Sequence, residues 1–148
     1  MTPTTLILCL GNPDRTDDGV GWVVAEEVRR AVAGQEAVEV RVCYQLAPEL
    51  AETLSQVERV LFVDATVAEA EGRVVLRRLV PAKHSVGDFS HRLPPAQLLG
   101  LTEAVYAHVP DAALLTVPAH ELGFGQELSE KTARLVSEAV ARARAWAA

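Results

Sequence analysis

Leu6-Ile7-Leu8-Cys9-Leu10-Gly11-Asn12-Pro13 sets the fold, because five consecutive apolar residues stop abruptly at a Gly-Asn-Pro break. A continuous apolar run of this length, bounded by turn residues, reads as a strand buried on both faces of a parallel sheet. Downstream, Val20, Val24, Val28 and Val32 recur at helical spacing with Glu26, Glu27, Arg29 and Arg30 between them. That pattern predicts a helix with one buried stripe, ended by Gly34. Val38, Val40 and Val42 alternate with Glu39 and Arg41, the period of a strand nearer the sheet edge. Residues 48–54 (PELAETL) form a short helix with proline in its first turn. Residues 60–63 (VLFV) are the next buried strand, with Asp64 at its carboxyl end.

A strand over residues 73–79 follows Glu71-Gly72. No crossover helix fits in so short a connection, so this strand is expected to run antiparallel to the one before it. A helix is expected to begin near Leu93, with Pro94, Pro95, Leu98, Leu99 and Leu101, and residues 112–117 (AALLTV) to be the last parallel strand. The final helix has Ser129 as N-cap, a stripe of Leu135, Val136, Ala139, Val140, Ala143 and Trp146, and i,i+4 pairs Glu130/Arg134 and Glu138/Arg142. Together these predict an α/β fold: a three-layer sandwich with a five-stranded mixed, mostly parallel twisted sheet and helices on both faces.

The chain's 148 residues suit one domain spanning 1–148. With 49% hydrophobic and 23% charged residues it has the composition of a soluble globular protein, and no apolar run is long enough to span a bilayer. The start, Met1-Thr2-Pro3-Thr4-Thr5, has no basic n-region, so a cytoplasmic protein is expected. A net charge of −6 without a Lys/Arg block speaks against nucleic acid as a partner. Cys9 and Cys43 are too few and too far apart for a CxxC zinc pattern and read as small buried hydrophobes.

In an open parallel sheet, ligands collect beyond the carboxyl ends of the strands. The loop after the first strand brings Asp17 and Asp18 to this edge at the start of a helix, among Gly11, Gly19 and Gly21, and Asp64 reaches the same edge directly. If residues 73–79 descend, residues 80–90 climb back and the helix from about Leu93 descends again, which puts His91 at the upper edge beside the acids. Helix capping is the structural alternative for Asp17 and Asp18. Asp64 has a weaker one, because a carboxylate after so apolar a run is costly to desolvate without a partner. His84, His108 and His120 read as structural or exposed, Asn12 as a turn residue, Arg15, Gln45 and Glu49 as solvated, and Trp22 and Trp146 as packing. Two carboxylates and an imidazole suit nickel, copper, zinc or iron better than magnesium, and three ligands leave coordination positions open.

At Gly11-Asn12-Pro13, Arg15, Asp17-Asp18-Gly19-Val20-Gly21, residues 45–51 (QLAPELA), Phe62-Val63-Asp64-Ala65, Ser90-His91, and Phe124-Gly125 with Leu128-Ser129, the chain resembles the hydrogenase maturation endopeptidases. The resemblance covers nearly the whole chain, and its first and third blocks are the specific ones. It implies a peptidase that removes the C-terminal extension of a nickel–iron hydrogenase large-subunit precursor once nickel is inserted. It also implies Asp18, Asp64 and His91 as the catalytic and metal-contacting residues, with Asp17 as a weaker supporting acid. Relatives often carry Glu where this chain has Asp18, which is one methylene shorter. The nickel belongs to the substrate, so at rest the site is empty or holds a surrogate divalent ion. Two roles fit the chemical step: an aspartate activates the attacking water, or nickel polarises the carbonyl. The partner implied is the precursor, met by a monomer or weak oligomer. A response-regulator receiver domain is the signalling alternative, with its acidic pair and phosphorylatable Asp, but Val117-Pro118-Ala119-His120 supplies no Lys after the last strand. A non-catalytic nickel-binding maturation chaperone is a third reading. Neither GxGxxG nor GxxxxGK[ST] occurs.

Overall fold

The computed structural model describes residues 3–67, 72–83 and 93–148. Five strands, β1 (Thr5–Leu10), β2 (Val38–Cys43), β3 (Arg59–Thr66), β4 (Val75–Leu79) and β5 (Asp111–Pro118), form one sheet in the order β2-β1-β3-β5-β4. β1, β2, β3 and β5 are parallel and β4 is antiparallel to β5. Helices α1 (Val20–Ala31), α2 (Leu50–Leu54), α3 (Pro95–Tyr106), α4 (Glu130–Ala133) and α5 (Val136–Ala147) complete the described elements, with a 3-10 turn over Thr16–Gly19.

The pleat of the buried strands divides the core in two. Ile7, Cys9, Leu61, Val63 and Leu115 pack with α1 and α5 through Val24, Val28, Ala139 and Ala143. Leu6, Leu8, Phe62 and Leu114 pack on the other face with α2 and α3 through Leu54, Leu98 and Leu99. Every residue of β1 is buried, the outcome expected of an apolar run covered by helices on both sides.

Three expectations need correction. The descending strand is antiparallel, but its neighbour is β5 and not β3. β5 is nearly all buried whereas β4 carries Arg77 and Arg78, so the apolar strand takes the inner position and the charged one the edge. The last helix is two: α4 ends at Ala133 and α5 begins at Val136. Ser129 does cap the first, its side chain accepting from Thr132 N. Thr132 Oγ1 also donates to Pro118 O at 2.8 Å, which ties α4 to the end of β5 while α5 turns away along α1. Finally, Cys9 is buried as expected but Cys43 is only half-buried, because it ends an edge strand.

Candidate functional site at the β1–β3 divide

The chain leaves β1 for β2 on one side and leaves β3 for β4, which lies beyond β5, on the other. Their loops therefore part, and the crevice at such a switch point is where α/β sheets bind ligands. Asp18 comes from the loop after β1 and Asp64 from the end of β3, so these two predicted residues flank the crevice. Asp64 lies two residues before the end of β3, in register with Thr116, because β3 and β5 stay paired as far as Thr66 and Pro118.

The β1–β3 ladder stops earlier, at the pair Cys9 and Val63. Its continuation would use the N–H groups of Ala65 and Asn12. Both go to the two carboxylates: Ala65 N donates to Asp64 Oδ1 and Asn12 N to Asp18 Oδ2, each at 2.9 Å. Each acid is oriented by a main-chain donor, and the sheet opens between them. Gly11 makes this possible. Its φ is +136°, and a Cβ there would lie 1.9 Å from Asp18 O, so only glycine lets the chain turn back so closely. Gly21 is equally constrained, since a Cβ would come within 2.4 Å of Leu10 O.

Two cavities open at this edge. One, of about 220 Å³, is lined by Asp64 with Leu10, Tyr44, Leu46, Leu93 and Pro94. The other, of about 310 Å³, is lined by Asp18 with Asn12, Arg15, Ala65, Val67 and Leu122. His91, the third predicted residue, lies outside the described residues, as does His84. Among the described residues no group of three or more His, Cys, Asp or Glu could hold a metal ion.

Asp17 has a different place from the one expected. It does not cap a helix, since the 3-10 turn and α1 both lack a side-chain cap. It is fully buried. Its Oδ2 accepts from His120 N (2.7 Å), Glu121 N (2.8 Å) and Ser129 Oγ (2.7 Å), and its Oδ1 from Ser129 N (2.7 Å). Burial pushes its carboxyl pKa up, but the hydrogen bonds from Ser129, His120 and Glu121 outweigh this and hold it below the ordinary value. Asp17 thus fastens the loop after β5 against the loop after β1. Asp18 does not cap either, its Oδ2 being turned back to Asn12 N.

Arg15, read from sequence as solvated, belongs to the wall of the site. Its Nε donates to Leu122 O at 3.0 Å and its guanidinium lies 5.1 Å from the Phe124 ring centroid. The only local signal was its position three residues before Asp18; Leu122 and Phe124 come from more than a hundred residues away. Gln45, also read as solvated, lines the Asp64 cavity. Trp22 packs on Tyr44 with ring centroids 5.3 Å apart, and Trp146 lies under Arg59. Neither cysteine is primed as a nucleophile: burial pushes the Cys9 thiol up to about 12, and burial followed by the charge of Asp64 raises Cys43.

No family model matches the sequence, and no curated protein matches it. Solved structures share the fold. The [NiFe] hydrogenase maturation protease HybD from Thermococcus kodakarensis matches with a TM-score of 0.71 and 23% identity over 97% of this chain and 99% of its own. The hydrogenase maturating endopeptidase HybD from E. coli gives 0.69 and 19% over 96% and 90%. The endopeptidase HycI from Escherichia coli gives 0.70 and 21% over 98% and 92%. A receiver domain, by contrast, has a flavodoxin-like 2-1-3-4-5 order, which is not the order here. Among the described residues no helix is long and apolar enough to cross a membrane.

Proposed function

We propose that this chain is an endopeptidase that removes the C-terminal extension of a nickel–iron hydrogenase large-subunit precursor, with nickel carried by that precursor as the recognition signal. The observation that carries the reading is the pair of carboxylates, Asp18 and Asp64, each anchored by a main-chain N–H on either side of the gap between β1 and β3. The fold supports it, since several solved hydrogenase maturation proteases share it over nearly their whole length.

The donor set suits the cargo. Two carboxylates with the imidazole of His91 make a mixed oxygen and nitrogen set of a kind that accepts nickel, and three ligands leave room for a metal that keeps bonds to its own protein. The Asn12 and Ala65 bonds act as outer-sphere contacts that fix ligand direction. In this reading Asp18, Asp64 and His91 bind the precursor's nickel and hold the neighbouring peptide bond in one geometry. A precursor without nickel loses those bonds and is not positioned for cleavage. Asp17 serves as a positioning residue that shapes the loop wall, rather than as a supporting acid in the reaction.

The test is to mix the protein with precursor large subunit, with and without nickel, and follow loss of the C-terminal tail by mass spectrometry. Shortening in the nickel-loaded sample alone is expected. Shortening in both refutes the nickel checkpoint, and shortening in neither counts against the peptidase reading and favours a non-catalytic chaperone.

A further inference from the structure

We propose that the substrate polypeptide binds as an added strand in the gap where β1 ends, pairing its main chain with Ala65 and Val67 at and just past the end of β3. This rests on the peptidase reading above and says how the chain to be cut is held.

Alternation along β3 carries the inference. Arg59 N donates to Thr4 O on the β1 side (3.0 Å), and Thr66 O accepts from Ala119 N on the β5 side (2.8 Å). In a parallel ladder a residue turns its N–H and C=O to the same neighbour, and the next residue turns both to the other. Odd-numbered residues of β3 therefore face β1, so Ala65 and Val67 face the ground that β1 has left. Ala65 N is taken by Asp64 Oδ1. The Ala65 carbonyl and the Val67 N–H have no hydrogen-bond partner among the described residues. The edge therefore offers one acceptor and one donor at strand spacing.

An extended peptide is the ligand whose hydrogen-bonding groups match that pair, and adding a strand to an open sheet edge is a common way of binding one. A bare ion or a phosphate would leave one member of the pair unused. The space is there: the cavity of about 310 Å³ lies against Ala65 and Val67 and reaches Asn12, Arg15 and Asp18. Part of its lining is apolar and exposed, with Val67 64% exposed and Leu122 37%, and Phe124, 91% exposed, lies against Arg15 of the same wall, so side chains of the added strand find hydrophobic contacts. A strand in this position runs between the two carboxylates, which brings a peptide bond to the acids without any movement of the sheet.

The experiment uses the full chain and nickel-loaded large-subunit precursors made by ligation, each N-methylated at one backbone amide in the region around the cut. Binding is measured by fluorescence anisotropy and cleavage by mass spectrometry, as separate readouts. N-methylation removes one donor and is expected to weaken binding about five-fold at the one residue whose N–H meets the Ala65 carbonyl and less than about two-fold at every other, so that sensitivity peaks at a single position. Val67→Pro removes the N–H from the protein side. The preceding Thr66 is already extended, so the variant keeps the wild-type melting temperature and binds unmodified precursor about two- to ten-fold more weakly. Uniform sensitivity, or none, overturns the inference, and the methylation series on the wild-type chain decides this even if the proline variant fails to fold. Concentration-dependent self-association that Val67→Pro abolishes also overturns it, since it assigns the edge to a second copy. A single-position peak in binding without cleavage sinks the peptidase reading and leaves the strand; cleavage without such a peak does the reverse.

Discussion

Replacing Asp17 by alanine should damage the protein more than any change at an exposed acid. The substitution removes the acceptor of four hydrogen bonds, from the main-chain N–H groups of His120, Glu121 and Ser129 and from the Ser129 hydroxyl. The hydroxyl can rotate to another acceptor; the three N–H groups are fixed and left unsatisfied. A buried donor without a partner costs about 1–3 kcal/mol, and the loop can relax to let water reach some of them, so a total near 4 kcal/mol is expected. That is a large part of the roughly 5–15 kcal/mol available to a domain, and at about 2–4 °C per kcal/mol it lowers Tm by about 8–16 °C. Urea unfolding followed by the fluorescence of Trp22 and Trp146 reads the change. The pH dependence has a definite sign. The folded-state pKa of Asp17 is depressed, so its contribution is fully present above the unfolded carboxyl pKa of about 3.9 and is lost as pH falls through the folded value. The stability gap between wild type and Asp17→Asn should therefore be constant from pH 5 to 7 and shrink in more acid solution. A loss below about 1 kcal/mol, or a gap that does not narrow in acid, refutes the assignment of Asp17 as the fastening of the two loops.

Asp64→Asn should abolish processing of nickel-loaded precursor while leaving the urea midpoint within about 1 kcal/mol of wild type, since the residue is half-exposed and outside the core; normal turnover by a folded variant removes it from the site. His91→Ala is expected to leave folding nearly intact and to stop tail removal in the same assay, and a variant that still processes at the normal rate excludes His91. Gly21→Ala should destabilise by about 1–3 kcal/mol in urea because its Cβ would press on main-chain atoms, Leu10 O at 2.4 Å and Val63 O at 3.3 Å. An alanine variant as stable as wild type would show that α1 can move away from the sheet.

Much of the architecture was written in hydrophobic periodicity. The unbroken run ending at Gly11 could only be a covered strand, the 3.6-residue stripe from Val20 could only be a helix on its face, and the Val38 alternation marked an edge strand, as β2 is. Asp18 and Asp64 could be assigned to one sheet edge because a parallel strand fixes where its carboxyl end lies, whatever its neighbours. These are local properties, carried by side chains a few residues apart. Three-dimensional packing decided the rest. Which strand sits beside β3 depends on burying Ala112 to Leu115 ahead of the arginines of β4, a competition between distant segments. Asp17 and Asp18 are adjacent in sequence and alike in chemistry, yet one is sealed under the loop of Ser129 and the other turned to the crevice. Arg15 joins the wall of that crevice only through Leu122 and Phe124. The gap between β1 and β3 exists because two carboxylates capture the N–H groups that would have closed it, and a hydrogen bond between partners chosen by folding leaves no trace in the order of residues.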